Sequence, residues 1–191
     1  MADHRPVHLT QIPVQGAKSL YPEPFASLVR HRTRRRLGDH FGLTNFGVNF
    51  TTLAPGAISA LKHHHSRQDE FIYILSGTPT LVHGDEEFPM SPGDCIGFKA
   101  SSGLAHQLLN RSSADVTYLE VGDRLPADTV EYPDDDLALV QGADGAWSAL
   151  HKDGTPYCGR HREPGGWVWA QITEPMGNGA ARACEDCRPR S

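Results

Sequence analysis

Between residues 45 and 120 the chain runs in short stretches rich in Val, Ile, Phe, Thr and Tyr, cut at short intervals by turn residues. This pattern predicts strands and not helices. Residues 45–54 (NFGVNFTTLA) read as one strand ended by Pro55-Gly56, and residues 70–75 (EFIYIL) as another ended by Ser76-Gly77. Residues 78–82 follow, Gly84-Asp85 makes a hairpin turn, and Ser91-Pro92-Gly93-Asp94 reverses the chain before residues 95–99. Residues 104–109 and 116–121 complete at least six strands with no convincing helix between them. The expected class is all-β, because a meander of short strands must close into a sandwich or barrel to cover its edges.

The flanks differ from this core. Residues 1–40 are polar and proline-punctuated, with an arginine run at Arg30, Arg32, Arg34, Arg35 and Arg36, and are expected to form an N-terminal arm over the barrel with the run as a solvated face. Residues 41–125 form the expected barrel. Residues 126–157, with the acidic cluster Glu131, Asp134, Asp135 and Asp136, read as irregular loops packed on it. Residues 158–191 read as a separate Cys-rich tail holding three of the four cysteines. Cys95, placed in a strand, is expected to be a buried small hydrophobe.

Candidate chemistry concentrates in GAISALKHHHSRQDEFIYILSG, residues 56–77. In an extended strand alternate side chains share a face, so His63 and His65 point one way and His64 the other. Glu70 opens the next strand after a four-residue gap, and His106 supplies a third imidazole from the segment 93–110. Three neutral nitrogen donors and one carboxylate on rigid strands bind a divalent transition metal and leave positions open for water or substrate. Asn49, Thr51, Gln107 and Asn110 are polar neighbours that could hold the second ring nitrogens. Tyr73, Tyr118, Gln107 and Lys99 are further candidates around the site.

Overall charge restricts the alternatives. With 18 Lys plus Arg against 23 Asp plus Glu the formal charge is −5, and no aromatic residues interleave the arginine run. A nucleic-acid surface is not expected. No apolar stretch approaches a bilayer span and the first residues lack the apolar segment of a secretory signal, so a cytoplasmic protein without membrane partners is expected.

The segments Gly56…His63-x-His65…Glu70…Gly77 and Gly93-Asp94…His106…Asn110 resemble the two motifs of the cupins. The phrases LGDHFGLTNFGVNFTTLAPGA, DEFIYILSG, GDCIGFKA, LLNRS and YLEVGD resemble a bacterial subgroup of single-domain cupins of undefined activity. The resemblance implies a double-stranded β-helix, or jelly-roll, barrel with an N-terminal arm and a small C-terminal extension. It implies His63, His65, Glu70 and His106 as ligands of one metal, Fe, Mn, Ni or Zn, and a homodimer formed by sheet packing. Departures from the motifs are one additional residue between Gly56 and His63, and Lys99 and Ser101 where most cupins have proline and glycine. Ser101 implies a reshaped loop before His106.

Function is less restricted than fold, since cupins include oxygenases, isomerases, decarboxylases and binding domains. The expected activity is that of a metal-dependent enzyme on a small polar metabolite that chelates the ion, with oxygenation placed ahead of isomerisation. The rival is a non-catalytic small-molecule-binding or regulatory domain. In the tail, Cys158-x-x-His161 and Cys184-x-x-Cys187 form two chelating pairs that could hold a structural zinc. A disulfide between Cys184 and Cys187, or free surface thiols, are the other readings.

Overall fold

The computed structural model describes residues 5–15 and 19–157, together with the backbone of 161–163 and 166–168. The strands are β1 (Arg32–Arg36), β2 (Phe46–Leu53), β3 (His64–His65), β4 (Glu70–Ser76), β5 (Thr80–His83), β6 (Glu86–Pro89), β7 (Cys95–Phe98), β8 (His106–Leu109), β9 (Val116–Asp123), β10 (Thr129–Tyr132), β11 (Leu137–Gln141), β12 (Trp147–Leu150), β13 (His161–Glu163) and β14 (Gly166–Val168). Two four-residue helices, α1 (Phe25–Leu28) and α2 (Leu37–His40), lie before β2.

One wall is a five-stranded antiparallel sheet in the order β1-β2-β9-β4-β7. The other is assembled from β12-β11-β10-β3 and β6-β5-β8, joined by antiparallel bridges from His63 to His106 and from Ile58 to Leu109. Together they make the jelly roll that the strand pattern and the resemblance lead one to expect. Each wall buries one face. Along β4, Ile72 and Ile74 are buried while Phe71, Tyr73 and Leu75 are exposed, the alternation that a half-buried strand requires. Leu53, Ile72, Ile74, Leu81, Phe98, Leu108, Val116 and Tyr118 form one core cluster between the walls, and Leu61, Val130, Tyr132, Leu137 and Leu139 form a second under β10 and β11.

Two turns depend on glycine. Gly84 (φ +61°) makes the two-residue hairpin between the pair His83 and Glu86, as expected. At Gly77 (φ +79°) an added Cβ would lie 2.8 Å from both the Asp115 carbonyl oxygen and a Val116 methyl, so the bend that ends β4 accepts no side chain.

Several expectations need correction. Residues 126–157 are not irregular loops: β10, β11 and β12 lie there, and the acidic cluster is largely the turn between β10 and β11, closed by the Asp135 N–H donating to the Tyr132 carbonyl at 3.2 Å. The arginine run is a solvated face only in part: residues 32–36 pair with β2 over their whole length, Arg32 opposite Leu53 and Arg36 opposite Asn49, and Arg32, Arg34 and Arg35 are half-buried while Arg30 and Arg36 are exposed. Cys95 is in a strand but exposed, since it pairs with the outward-facing Tyr73 at the sheet edge. Among the described residues no helix is long and apolar enough to cross a membrane.

Candidate metal centre

His63, His65, Glu70 and His106 come together from three segments of the chain, the residues at β3 and the starts of β4 and β8. His63 and His106 exchange backbone hydrogen bonds, 3.1 Å from the His63 N–H and 2.8 Å from the His106 N–H. Glu70 faces inward with Ile72 and Ile74 because all three share strand parity. The Glu70 Oε2 lies 2.9 Å from His106 Nε2 and 3.6 Å from the Nε2 atoms of both His63 and His65. Donor atoms of His63, Glu70 and His106 all fall within 4.8 Å of one another. His64 points the other way, as strand geometry requires, with Nε2 3.7 Å from Glu131 on β10.

The second nitrogens explain why the Nε2 atoms converge. His63 Nδ1 is 2.7 Å from the Leu61 carbonyl, so an N–H there donates to it. His65 Nδ1 is 2.5 Å from Asp128 Oδ2, and Asp128 is completely buried and also accepts from the Ser66 hydroxyl and the Arg67 N–H. Such partners fix both tautomer and ring direction. His106 Nδ1 is buried with no hydrogen-bond partner among the described residues, and its ring is instead held against Phe98, with centroids 3.6 Å apart and planes 2° from parallel. The loop before it is tied down at Ser101. Ser101 takes φ +58°, donates its N–H to the His65 carbonyl at 2.9 Å, and donates its hydroxyl to the Ser66 carbonyl at 2.6 Å, tying the loop to the histidine segment.

Protonation states suit a cation. Burial alone would raise the Glu70 pKa, but hydrogen bonding to His106 and His63 and the nearby histidine charge hold the carboxyl well below the usual carboxylate range. Burial pushes the His106 imidazole down and so favours its neutral form. For His65 the effect of burial is outweighed by Asp128 and Glu70, which raise its pKa and make it a more basic donor. An ionised carboxylate beside imidazole donors, two of them oriented from behind, fits a divalent transition metal. We expect Asp128→Asn, which keeps shape and removes charge, to weaken metal binding about 10–100-fold. Competition with a chromophoric chelator measures this, and unchanged affinity would mean that Asp128 does not tune His65.

The centre opens into a cavity of about 250 Å³. Its lining includes Tyr21, Tyr118 and Tyr132, the carboxylates Glu70 and Glu120, and Arg32, Arg34 and Arg36, the alternate residues of β1. The sequence reading missed Asp128, Glu120 and these arginines as parts of the site. The period-two spacing of the arginines and the shared parity of Tyr118 and Glu120 in one strand were the available signals.

Of the other candidates, Tyr118 lies in the cavity wall, 1% exposed, with its hydroxyl buried. Tyr73 and Lys99 face outward, and Gln107 is spent on the Ala60 carbonyl at 2.6 Å. Gln107 follows His106 in a strand and therefore turns away from the cavity. Asn49 donates to Glu120 at 3.2 Å and Asn110 to the Leu53 and Ala114 carbonyls, so neither holds an imidazole, and Thr51 is fully buried. Side chains of the suggested zinc set Cys158, His161, Cys184 and Cys187 lie outside the described residues.

Comparison with known proteins agrees with the geometry. A family profile described as "Cupin domain" matches residues 49–122. A crystal structure of a sugar phosphate isomerase of the cupin superfamily from Silicibacter pomeroyi is 40% identical, covers 80% of this chain and 96% of its own, and superposes with a TM-score of 0.76. A protein from Acidithiobacillus ferrooxidans, provisionally assigned as a sugar phosphate isomerase, is 31% identical over 66% of this chain and 80% of its own, with a TM-score of 0.60. The polyketide cyclase RemF from Streptomyces resistomycificus, 21% identical over 63% of this chain and 80% of its own with a TM-score of 0.51, shares the fold alone. No curated protein matches the chain. The strand order, the convergent histidines with Glu70 and these similarities place the chain in the cupin superfamily.

Proposed function

We propose that this cupin is a metal-dependent isomerase of a small hydroxy-carbonyl metabolite, with one divalent ion held by His63, His65, Glu70 and His106. The observation that carries the reading is the convergence of three imidazole Nε2 atoms on one Glu70 oxygen at the wall of a polar cavity. Sequence alone placed oxygenation first. Isomerisation is favoured by the two more similar structures, described as sugar phosphate isomerases, and by a proton-carrying group beside the centre.

That group is Glu120. Apart from Glu70 it is the carboxylate in the described cavity lining. Gly122 pairs with Glu70 across the sheet, so Glu120 is the diagonal neighbour, and such positions lie about 7–8 Å apart. Arg34 Nη2 donates to it at 3.0 Å and Asn49 Nδ2 at 3.2 Å, which fixes its orientation. The phenols Tyr21, Tyr118 and Tyr132 all have raised pKa values, with burial the largest cause, and remain protonated. They can donate a hydrogen bond to a substrate oxygen but cannot act as bases.

An ion of Fe, Mn, Ni or Zn held by His63, His65, Glu70 and His106 would supply Lewis acidity toward the substrate carbonyl. Glu120 then removes the proton from the carbon beside that carbonyl and returns it to the carbonyl carbon, while the hydroxyl proton passes between the two oxygens. Atoms and charge balance without a further reactant.

The test is proton NMR in deuterium oxide of the full-length protein with each of the four metals and a panel of aldose and ketose phosphates. One pair should interconvert, with solvent deuterium appearing at the exchanging carbon. A panel member that binds but is never converted under any metal would favour a sensor.

Assembly is a further part of the proposal. The outer face of the five-stranded sheet exposes Phe71, Tyr73 and Leu75, with Val121 opposite Phe71 and Leu119 opposite Tyr73. A second copy packed on this face would cover the apolar row. Tyr73→Glu is expected to convert a dimer to a monomer in light scattering while leaving metal content intact; a monomeric parent protein would contradict it. A cytoplasmic location is proposed with it.

A further inference from the structure

We propose that Arg32 and Arg34 form an oxyanion subsite that takes the phosphate group of a phosphomonoester substrate, set apart from the metal centre along the cavity. The inference rests on the reading of this cavity as a substrate site and names what that substrate carries.

Charge is the first argument. Three guanidinium groups, those of Arg32, Arg34 and Arg36, line the cavity against two carboxylates, those of Glu70 and Glu120. A divalent ion at the histidines would make the excess of positive charge larger. A partly enclosed wall with this balance concentrates an anion.

Unspent hydrogen-bonding capacity is the second. Arg34 binds Glu120 through Nη2, while its Nε is buried with no partner among the described residues. Arg32 donates one Nη1 hydrogen bond to the Ser59 carbonyl, and among the described residues no carboxylate lies within 4.0 Å of it. Burial lowers the Arg32 pKa and the neighbouring Arg34 charge lowers it further, and the smaller opposing effects of Tyr118, Glu120 and Tyr21 do not cancel this. Two guanidiniums two residues apart on one strand can present forked donors to separate oxygens of one phosphate.

Position is the third. Ser59 lies opposite Leu108, whose carbonyl accepts the Ser59 N–H at 2.9 Å, and Leu108 is two residues beyond His106 in β8. The Arg32 contact is therefore about 7 Å farther along the strand than the His106 backbone. This separation suits a phosphate at the far end of a short sugar and not one on the carbon beside the reacting carbonyl.

Inorganic phosphate is the probe. Calorimetric titration into the full-length protein should show one saturable site. Binding should weaken at least about tenfold in Arg32→Gln and vanish in the Arg32→Gln/Arg34→Gln double variant. Arg111→Gln, an exposed arginine paired with Glu87, should stay close to the parent protein. Circular dichroism monitors folding, and where loss of the Arg34 to Glu120 pair unfolds the protein, Arg32→Gln alone decides. No saturable phosphate binding, or unchanged binding in Arg32→Gln, would overturn the proposal. None of these results depends on turnover, so a failed subsite and a failed isomerase reading are told apart.

Discussion

Glu70→Gln should strip the protein of its ion while leaving the barrel folded. The carboxylate is the anionic member of the set and touches all three imidazoles through one oxygen, so the amide keeps the packing and removes the charge that attracts a cation. Loss of an outer partner costs about 10–100-fold in metal affinity, and loss of this central donor should exceed that. The fold is expected to survive because His65 keeps Asp128 and His63 keeps the Leu61 carbonyl. Elemental analysis of dialysed protein, beside a thermal melt, reads both effects, and full metal occupancy in the variant would remove Glu70 from the centre.

Glu120→Gln has the second large effect and the opposite signature. The amide retains a carbonyl oxygen for Arg34 but cannot take a proton, so turnover should fall about 10²–10⁴-fold, the range for a lost general base. Metal content should not change and KM should move little. Exchange of substrate hydrogen with solvent should disappear together with turnover. A variant that keeps its rate, or loses its metal, would show that Glu120 does not carry the proton.

The contrast between these variants follows from which features the sequence displayed. His63 and His65 were legible as a pair because strand alternation fixes their common face, and Glu70 because it opens a strand whose even positions are buried. The jelly roll was legible through turn residues such as Gly84-Asp85. Asp128 was not legible: it lies 63 residues from His65, and only the β10 to β3 pairing, Val130 opposite His65, brings it behind that ring. Strands β10 and β11 were hidden by the acidic turn between them, although Val130, Tyr132, Leu137 and Leu139 alternate as buried positions. The arginines misled for a related reason. A basic run suggests solvent, yet every second residue of β1 faces the cavity, where Glu120 across two strand pairings meets Arg34.

The central claim is that one divalent ion is gripped by four side chains inside the barrel. Crystals of the full-length protein, with diffraction collected at the absorption edge of the metal that elemental analysis finds, test it most directly. The account predicts a single anomalous peak within about 2.0–2.2 Å of the Nε2 atoms of His63, His65 and His106 and a Glu70 carboxylate oxygen. A peak elsewhere, or none at these residues after soaking with Fe, Mn, Ni or Zn, would contradict it.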